Sequence, residues 1–427
     1  MLILFRPKNL INMSKSSHFI GQPILGQLLK LIDKSRILEI SREKGGERYI
    51  KRFNCWIHLV VMVFAVIKRF DSLSEITAGL LGESRKLCHL GISIKTSKST
   101  LADANKRRSE AVFEGIYKYL YGTYRQTLSS DSCSGKTPKW MKRLQIIDST
   151  TITLFSNLIF KGVGRHPKTG RKKGGIKVHT VIHANEGVPS DIRFTSAATN
   201  DSFMLRPATL SQGDIVAMDR AYIDYAKFEE LTQKGVIYVT KLKKSLKYRI
   251  LEDKMYITPE ALMEVRIQKV LFTKKVAKEK TVTHTARIIT YVDERKRRLI
   301  SLLTNDMDSD PSEIIEIYRK RWEIELLFKQ IKQNFPLKYF YGESANAIKI
   351  QIWVTLIANL LLMVMQKGLR RKWSFSGLAT MVRINLMYYV DFYSLFNHPE
   401  KDWEIILSNA SSDPPEPSLF DLRGLGI

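Results

Sequence analysis

The sequence predicts an α/β fold: a mixed sheet flanked by helices, interrupted by a β-rich insertion and preceded by an all-helical N-terminal domain. Three observations predict it. Residues 20–124 carry helical apolar periodicity, residues 143–241 alternate short apolar strands with helical stretches, and residues 243–298 are β-like and heavily basic. The division follows from these shifts. It places a helical domain at 1–125, a Ser/Gly/Pro-containing linker at 126–140, the first part of the core at 141–242, the insertion at 243–306, the last part of the core at 307–370, and a helical region with a polar tail at 371–427.

Within the N-terminal part, "STLADANKRRSEAVFEGIYKYLYGTY" reads as one long helix with Ser99 as N-cap. It follows the turn-rich "HLGISIKTSK" and carries Lys106, Arg107 and Arg108 near its start, compatible with a helix-turn-helix reader of DNA. In the core, "RLQIIDSTTITL" predicts a strand whose apolar run ends at Asp148. "GGIKVHTVIHA" and "SDIRFTSA" predict neighbouring antiparallel strands, and "ATNDSFMLRPATL" a helix. "DIVAMDRAYIDYAKFEELTQKG" predicts a strand ending at Asp219 and then a helix. The run "IWVTLIANLLLMVMQ" is too short for a membrane span and holds Asn359, so a buried core helix is expected.

The chain has 427 residues, 44% of them hydrophobic, enough for more than one packed unit. Its 69 Lys and Arg against 42 Asp and Glu leave a formal charge of +27, which points to a polyanion and first of all to nucleic acid. Three scattered cysteines exclude a disulfide framework or a zinc cluster and suit a reduced, cytoplasmic compartment. His179 and His183 lie four apart on one face of a strand without further ligands nearby, which predicts structural or DNA-adjacent histidines. No Walker-type loop occurs, so no nucleotide cofactor is expected. The glycine-rich loop "FKGVGRHPKTGRKKGGIKVH" carries Lys172 and Lys173 among other cations, as a DNA-backbone contact would.

"YRKRWEIELLFKQIK" holds the chemistry. Arg321, Glu325 and Lys332 follow Tyr318 at offsets of 3, 7 and 14, which share an arc of roughly 60° on a single helix. Ile317, Ile324, Leu327, Phe328, Ile331 and Phe335 form an apolar flank beside it. A carboxylate held among cations also fits a plain salt-bridge network. With two carboxylates at strand ends, however, three hard oxygen groups could meet around divalent ions that accept phosphate oxygens.

Tyr-x-x-Arg-x-x-x-Glu-x-x-x-x-x-x-Lys, together with "IIDSTTITL", "KGGIKVHT" and "MDRAY", resembles the signature of bacterial insertion-sequence DDE transposases of the IS-four family. The likeness spans about Arg143 to Gly368, and the helical N-terminal part resembles an accessory DNA-binding domain. The resemblance implies an RNase H-like catalytic core and a triad of Asp148, Asp219 and Glu325 holding two Mg²⁺, for which Mn²⁺ may substitute. It implies cleavage at terminal inverted repeats through a hairpin, joining of 3′ ends to target DNA, and a homodimer in the synaptic complex. Tyr318, Arg321 and Lys332 would contact phosphates near the terminal nucleotides, and Trp322 the hairpin or a flipped base. One departure stands out: residues 243–298 contain no tryptophan, leaving Tyr248, Tyr256, Phe272 and Tyr291 as the aromatics for a flipped base. The rival expectations are a metal-dependent nuclease or resolvase on the same fold, and a non-catalytic DNA-binding regulator.

Overall fold

The computed structural model describes residues 21–129, 138–153, 175–197, 199–259, 263–275, 281–293, 297–401 and 407. The helical beginning comprises α1 (Ile24–Leu29), α2 (Lys34–Glu43), α3 (Cys55–Lys68), α4 (Leu73–Gly82), α5 (Lys98–Arg107) and α6 (Glu110–Leu128). Asn54, Ser72 and Ser97 accept backbone N–H groups at the starts of α3, α4 and α5. The expected single helix from Ser99 is therefore two helices, capped at Ser97 and again at Ser109. Arg108 is extended between them (ψ 125°) because its side chain is drawn inward, away from any helical path.

After a short α7 (Lys139–Arg143) come β1 (Leu144–Thr153), β2 (Gly175–His183), β3 (Pro189–Ser196), β4 (Ile215–Met218), α8 (Tyr225–Gln233) and β5 (Ile237–Lys241). The insertion supplies β6 (Arg249–Ile257), β7 (Glu264–Lys275), β8 (Thr281–Asp293) and β9 (Arg298–Thr304). Among the described residues, nine strands make one sheet in the order β3-β2-β1-β4-β5-β9-β8-β7-β6. β1 pairs antiparallel with β2 and parallel with β4, β4 pairs parallel with β5, and β9 joins β5 antiparallel. The β-rich insertion thus continues the core sheet by hydrogen bonding to its β5 edge. The stretch from 201 to 209 is not the expected helix. It forms two 3-10 turns, broken where Arg206 precedes Pro207 and turns extended.

Alternation sorts the sheet into two faces. Ile146, Ile152, Ile176 and Val178 pack toward α9 (Pro311–Lys320), α10 (Trp322–Asn334) and α11 (Ala345–Lys367), while Ile147, Val216 and Met218 pack with Phe228 and Leu231 of α8. α11 is long and apolar enough to cross a membrane, yet 89% of its apolar window is buried inside the protein. It is the core helix that the sequence predicts. α3 and α6 pack directly on α11, and α12 (Phe375–Asn385) packs on α3, so the helical beginning shares one core with the last helices.

Specific polar contacts lock that junction. Asn346 accepts the Glu110 N–H (2.9 Å) and donates to the carbonyls of Asn105 (2.9 Å) and Arg108 (2.7 Å). Trp353 Nε1 and Lys349 Nζ both reach the Glu110 carboxylate, at 2.8 and 3.1 Å.

Candidate active site

The parallel pairing of β1 with β4 runs from Leu144 opposite Ile215 to Ile147 opposite Met218. Asp148 and Asp219 are each the next residue, so they stand side by side where that pairing stops, about 5 Å apart along the hydrogen-bonding direction. Asp148 does not end its strand: β1 continues to Thr153 against β2, with Asp148 opposite Thr180. What ends there is β4, which frees one side of Asp148. By alternation Asp148 goes with Ile146 and Asp219 with Ala217, on the face covered by α10 and α11.

The third carboxylate comes from a broken helix. α9 starts on Asp310, whose side chain caps Ser312, with Pro311 in the first turn. The expected continuous helix is interrupted at Arg321, where Arg321 N–H bonds the Tyr318 carbonyl and Ile324 N–H the Arg321 carbonyl, each three residues back. α10 then proceeds with Ile324, Leu327 and Ile331 buried, as the apolar flank requires. The break turns Arg321 inward. Its side chain is 9% exposed, with Nη2 at 2.7 Å from Glu325 Oε1 and Nη1 at 3.5 Å from Asp148 Oδ2. The guanidinium also lies over the rings of Tyr318 and Trp322, at 5.6 and 5.9 Å. Tyr318, Arg321 and Glu325 therefore converge as a unit with Asp148.

Electrostatics follow from this packing. Burial raises the Asp148 carboxyl to about 6. The Ser149 N–H and Arg321 oppose that rise, and the charges of Asp219 and Glu325 add to it. Burial works against the charged form of Arg321, but the hydrogen bond to Glu325 and the charges of Tyr318, Glu325 and Asp148 outweigh it and raise its pKa. Lys332, lowered by burial, donates to Thr150 Oγ1 (2.6 Å) and Thr151 O (3.4 Å) on β1. It shares an open cleft with Asp148, Ser149, Glu325, Phe328 and Lys329.

Among the described residues no three His, Cys, Asp or Glu groups are gathered at metal-binding spacing. Arg321 bridges Asp148 and Glu325 and supplies the positive charge there. The donor types nevertheless fit a hard divalent cation: Asp148 and Glu325 line one cleft, Asp219 lies close enough for its charge to act on Asp148, and burial with these two charges disfavours the ionised Asp148. Asp148, Asp219 and Glu325 are the residues that would hold such an ion.

Other expected residues fall elsewhere. Trp322 is 52% exposed beside the site, and Lys106 and Arg107 are exposed on the last turn of α5 rather than at the start of a helix. Arg108 is a correction. It is buried and donates to Gly46 O (3.0 Å), Phe53 O (2.9 Å) and His58 Nδ1 (2.7 Å), so it cannot contact DNA phosphates. Lys172 and Lys173 lie outside the described residues. Of the insertion aromatics, Phe272 and Tyr291 are buried, which leaves Tyr248 and Tyr256 as partly exposed rings. His179 is buried with Nε2 at 2.7 Å from Thr195 Oγ1, a structural histidine.

Sequence reasoning passed over the cluster behind Asp148. Ser149 Oγ donates to Asp201 Oδ1 (2.6 Å), Lys177 Nζ lies 3.2 Å from the same oxygen, and buried Tyr222 packs on that face. The only signal was Asn200-Asp201 within a stretch read as helix.

This strand order, with one carboxylate on β1, a second just past the end of β4 and a third on the helix beyond the sheet, is that of an RNase H-like enzyme core. Residues 139–361, just over half of the chain, match the family described as Transposase DDE domain, and the chain belongs to that family of DNA transposases. Residues 20–93 match a family described as a domain of unknown function (DUF4372). A Sinorhizobium fredii protein named as a transposase is 28% identical over 265 residues, covering 62% of this chain and 70% of the relative. A transposase for insertion sequence element IS4SA from Synechocystis is 26% identical, covering 62% and 70%. One for element IS5377 from Geobacillus stearothermophilus is 23% identical, covering 52% and 57%.

Proposed function

We propose that this transposase binds the terminal inverted repeats of an insertion sequence in the cytoplasm, cleaves DNA at its ends through a hairpin, and joins the freed 3′ ends to target DNA as a homodimer. The observation that carries the proposal is Arg321 held between Asp148 and Glu325 at one cleft, with Asp219 beside Asp148 where the β1–β4 pairing stops. When bound by these carboxylates, two divalent ions, Mg²⁺ or Mn²⁺, supply charge stabilisation and oxygen activation for in-line phosphoryl transfer.

The chain's own residues position the strand. Arg321, shared by two carboxylates, is placed to exchange one of them for a scissile-strand phosphate. Lys332, now on Thr150, reaches the same cleft as a second phosphate ligand. Tyr318, stacked under Arg321, orders the guanidinium and offers its hydroxyl to the terminal nucleotide. Trp322 presents its exposed ring to a hairpin or flipped base. In the domain division proposed, residues 1–125 bring DNA to a core interrupted by the insertion at 243–306.

The test is a labelled duplex carrying the element's end, incubated with the protein and Mg²⁺ beside a Glu325→Ala variant. Metal-dependent nicks, hairpins and joined products are expected from the wild type, and binding alone from the variant. Nicks that never become joined products would instead identify a nuclease. Tight binding without cleavage by either protein, with Mn²⁺ also tried, would leave a DNA-binding regulator.

A further inference from the structure

Arg108 organises a surface that lies apart from the catalytic cleft. Between α2 and α3 the chain runs through Lys44, Gly45, Gly46, Glu47, Arg48, Tyr49, Ile50, Lys51, Arg52 and Phe53. The Arg108 guanidinium binds the carbonyls of Gly46 and Phe53, at 3.0 and 2.9 Å, and so clamps both ends of residues 47–52. Its remaining nitrogen is held by His58, which is held in turn by Asn105 at 2.8 Å. The single carboxylate of this loop turns inward: Glu47 Oε1 accepts from Ser41 Oγ and Cys55 N–H, both at 2.8 Å.

The outer face is then purely cationic. Lys44, Arg48, Lys51 and Arg52 are exposed, and among the described residues Arg48, Lys51 and Arg52 have no ion-pair partner. Lys106 and Arg107, also exposed, directly precede the clamping arginine. Tyr49 adds an independent signal. It is 90% exposed with φ 61°, a left-handed conformation that is strained for a bulky residue and cheap for glycine. Neither burial nor packing accounts for a tyrosine there. The Arg48 guanidinium lies over its ring, 5.4 Å from the ring centre.

We infer that the loop from Glu47 to Arg52, with Lys106 and Arg107 beside it, is a docking surface for double-stranded DNA. Arg48, Lys51 and Arg52 bind backbone phosphates, and the Tyr49 ring lies against sugar or groove edge. Arg108 is a positioning residue that presents the loop. A one-sign patch on a chain of charge +27 fits a polyanion, and the exposed ring beside it fits nucleic acid better than a lipid headgroup. The assignment rests on the transposase reading and adds the surface that holds DNA away from the cleft.

The experiment uses the full chain, a fluorescein-labelled mixed-sequence duplex several helical turns long, and anisotropy titrations over a salt series. Two variants are compared: Tyr49→Gly, and the triple Arg48→Gln, Lys51→Gln, Arg52→Gln. The triple variant should bind at least about tenfold more weakly, with a salt slope shallower by about 0.9 per lost contact. Tyr49→Gly should bind several-fold more weakly while its melting temperature holds or rises, because glycine relieves the strain. Wild-type affinity and slope in both variants would overturn the surface alone. So would a loss confined to self-association by light scattering, or to binding of phosphatidylglycerol vesicles. A wild-type protein that binds no duplex would overturn the transposase reading itself.

Discussion

Asp148 sits where its own charge is disfavoured, and this has a measurable cost. Its folded pKa of about 6 exceeds the ordinary 3.8, so between those values the folded state holds more protons than the unfolded one. Stability from this group is therefore complete below about pH 3.8 and is lost as pH rises through about 6. In EDTA, Asp148→Asn should raise stability at pH 7.5 by on the order of 3 kcal/mol and change it little at pH 4, while abolishing cleavage. Urea denaturation at the two pH values reads the difference, and equal shifts at both would contradict the assignment. His58 behaves oppositely. Burial, then the neighbouring Arg108 charge, push it down to about 3. Arginine can only donate, so His58 Nδ1 must accept and Nε2–H must donate to Asn105. Stability from His58 is complete above about pH 6.5 and is lost as pH falls toward 3. Nitrogen-15 NMR should find this ring neutral and protonated at Nε2 at pH 5; an imidazolium there would refute it.

At the scale of elements, the break between α9 and α10 is what turns Arg321 toward the carboxylates. Arg321→Leu keeps a buried, helix-compatible side chain but leaves Glu325 and Asp148 without their cation. End cleavage should fall at least about a hundredfold, while circular dichroism retains the helix content. An active Arg321→Leu enzyme would remove Arg321 from the proposed role. The start of α11 offers a second test. Asn346 satisfies three carbonyls at the end of α5 and the Glu110 N–H. Asn346→Ala should cost about 2–4 kcal/mol in urea denaturation, since several backbone groups lose their partner together.

Across the whole molecule, one core joins the first helices to the last ones. α3, α6 and α11 bury their apolar sides against each other rather than in separate units. Their amides should therefore exchange with solvent hydrogen together, in one cooperative opening, as mass spectrometry of deuterium uptake would show. Faster, independent exchange in α3 and α6 would mean that the helical beginning unfolds alone. On the other side, β9 makes the insertion an extension of the core sheet, so the basic strands β6 to β8 are held in fixed register with β5.

Charge, alternation and helical periodicity are local properties, and from them the sequence alone determined the DNA-directed character and the α/β order of elements, and singled out the candidate carboxylates on β1, just past β4 and on α10. Those features needed only neighbours in the chain. The motif resemblance is what proposes a joint role for them. What local patterning could not contain was decided by tertiary contacts. The helix breaks at Arg108 and Arg321 coincide with guanidinium contacts to groups far away in sequence, Gly46 and Phe53 for Arg108 and Asp148 for Arg321. The same reach turned Arg108 from an expected phosphate ligand into an internal clamp. The pairing of Asp201 with Ser149, 52 residues apart, and the joining of β9 to β5 likewise depend on strand register. Register is set by the burial of both sheet faces at once, a constraint that exists only when the whole chain has packed.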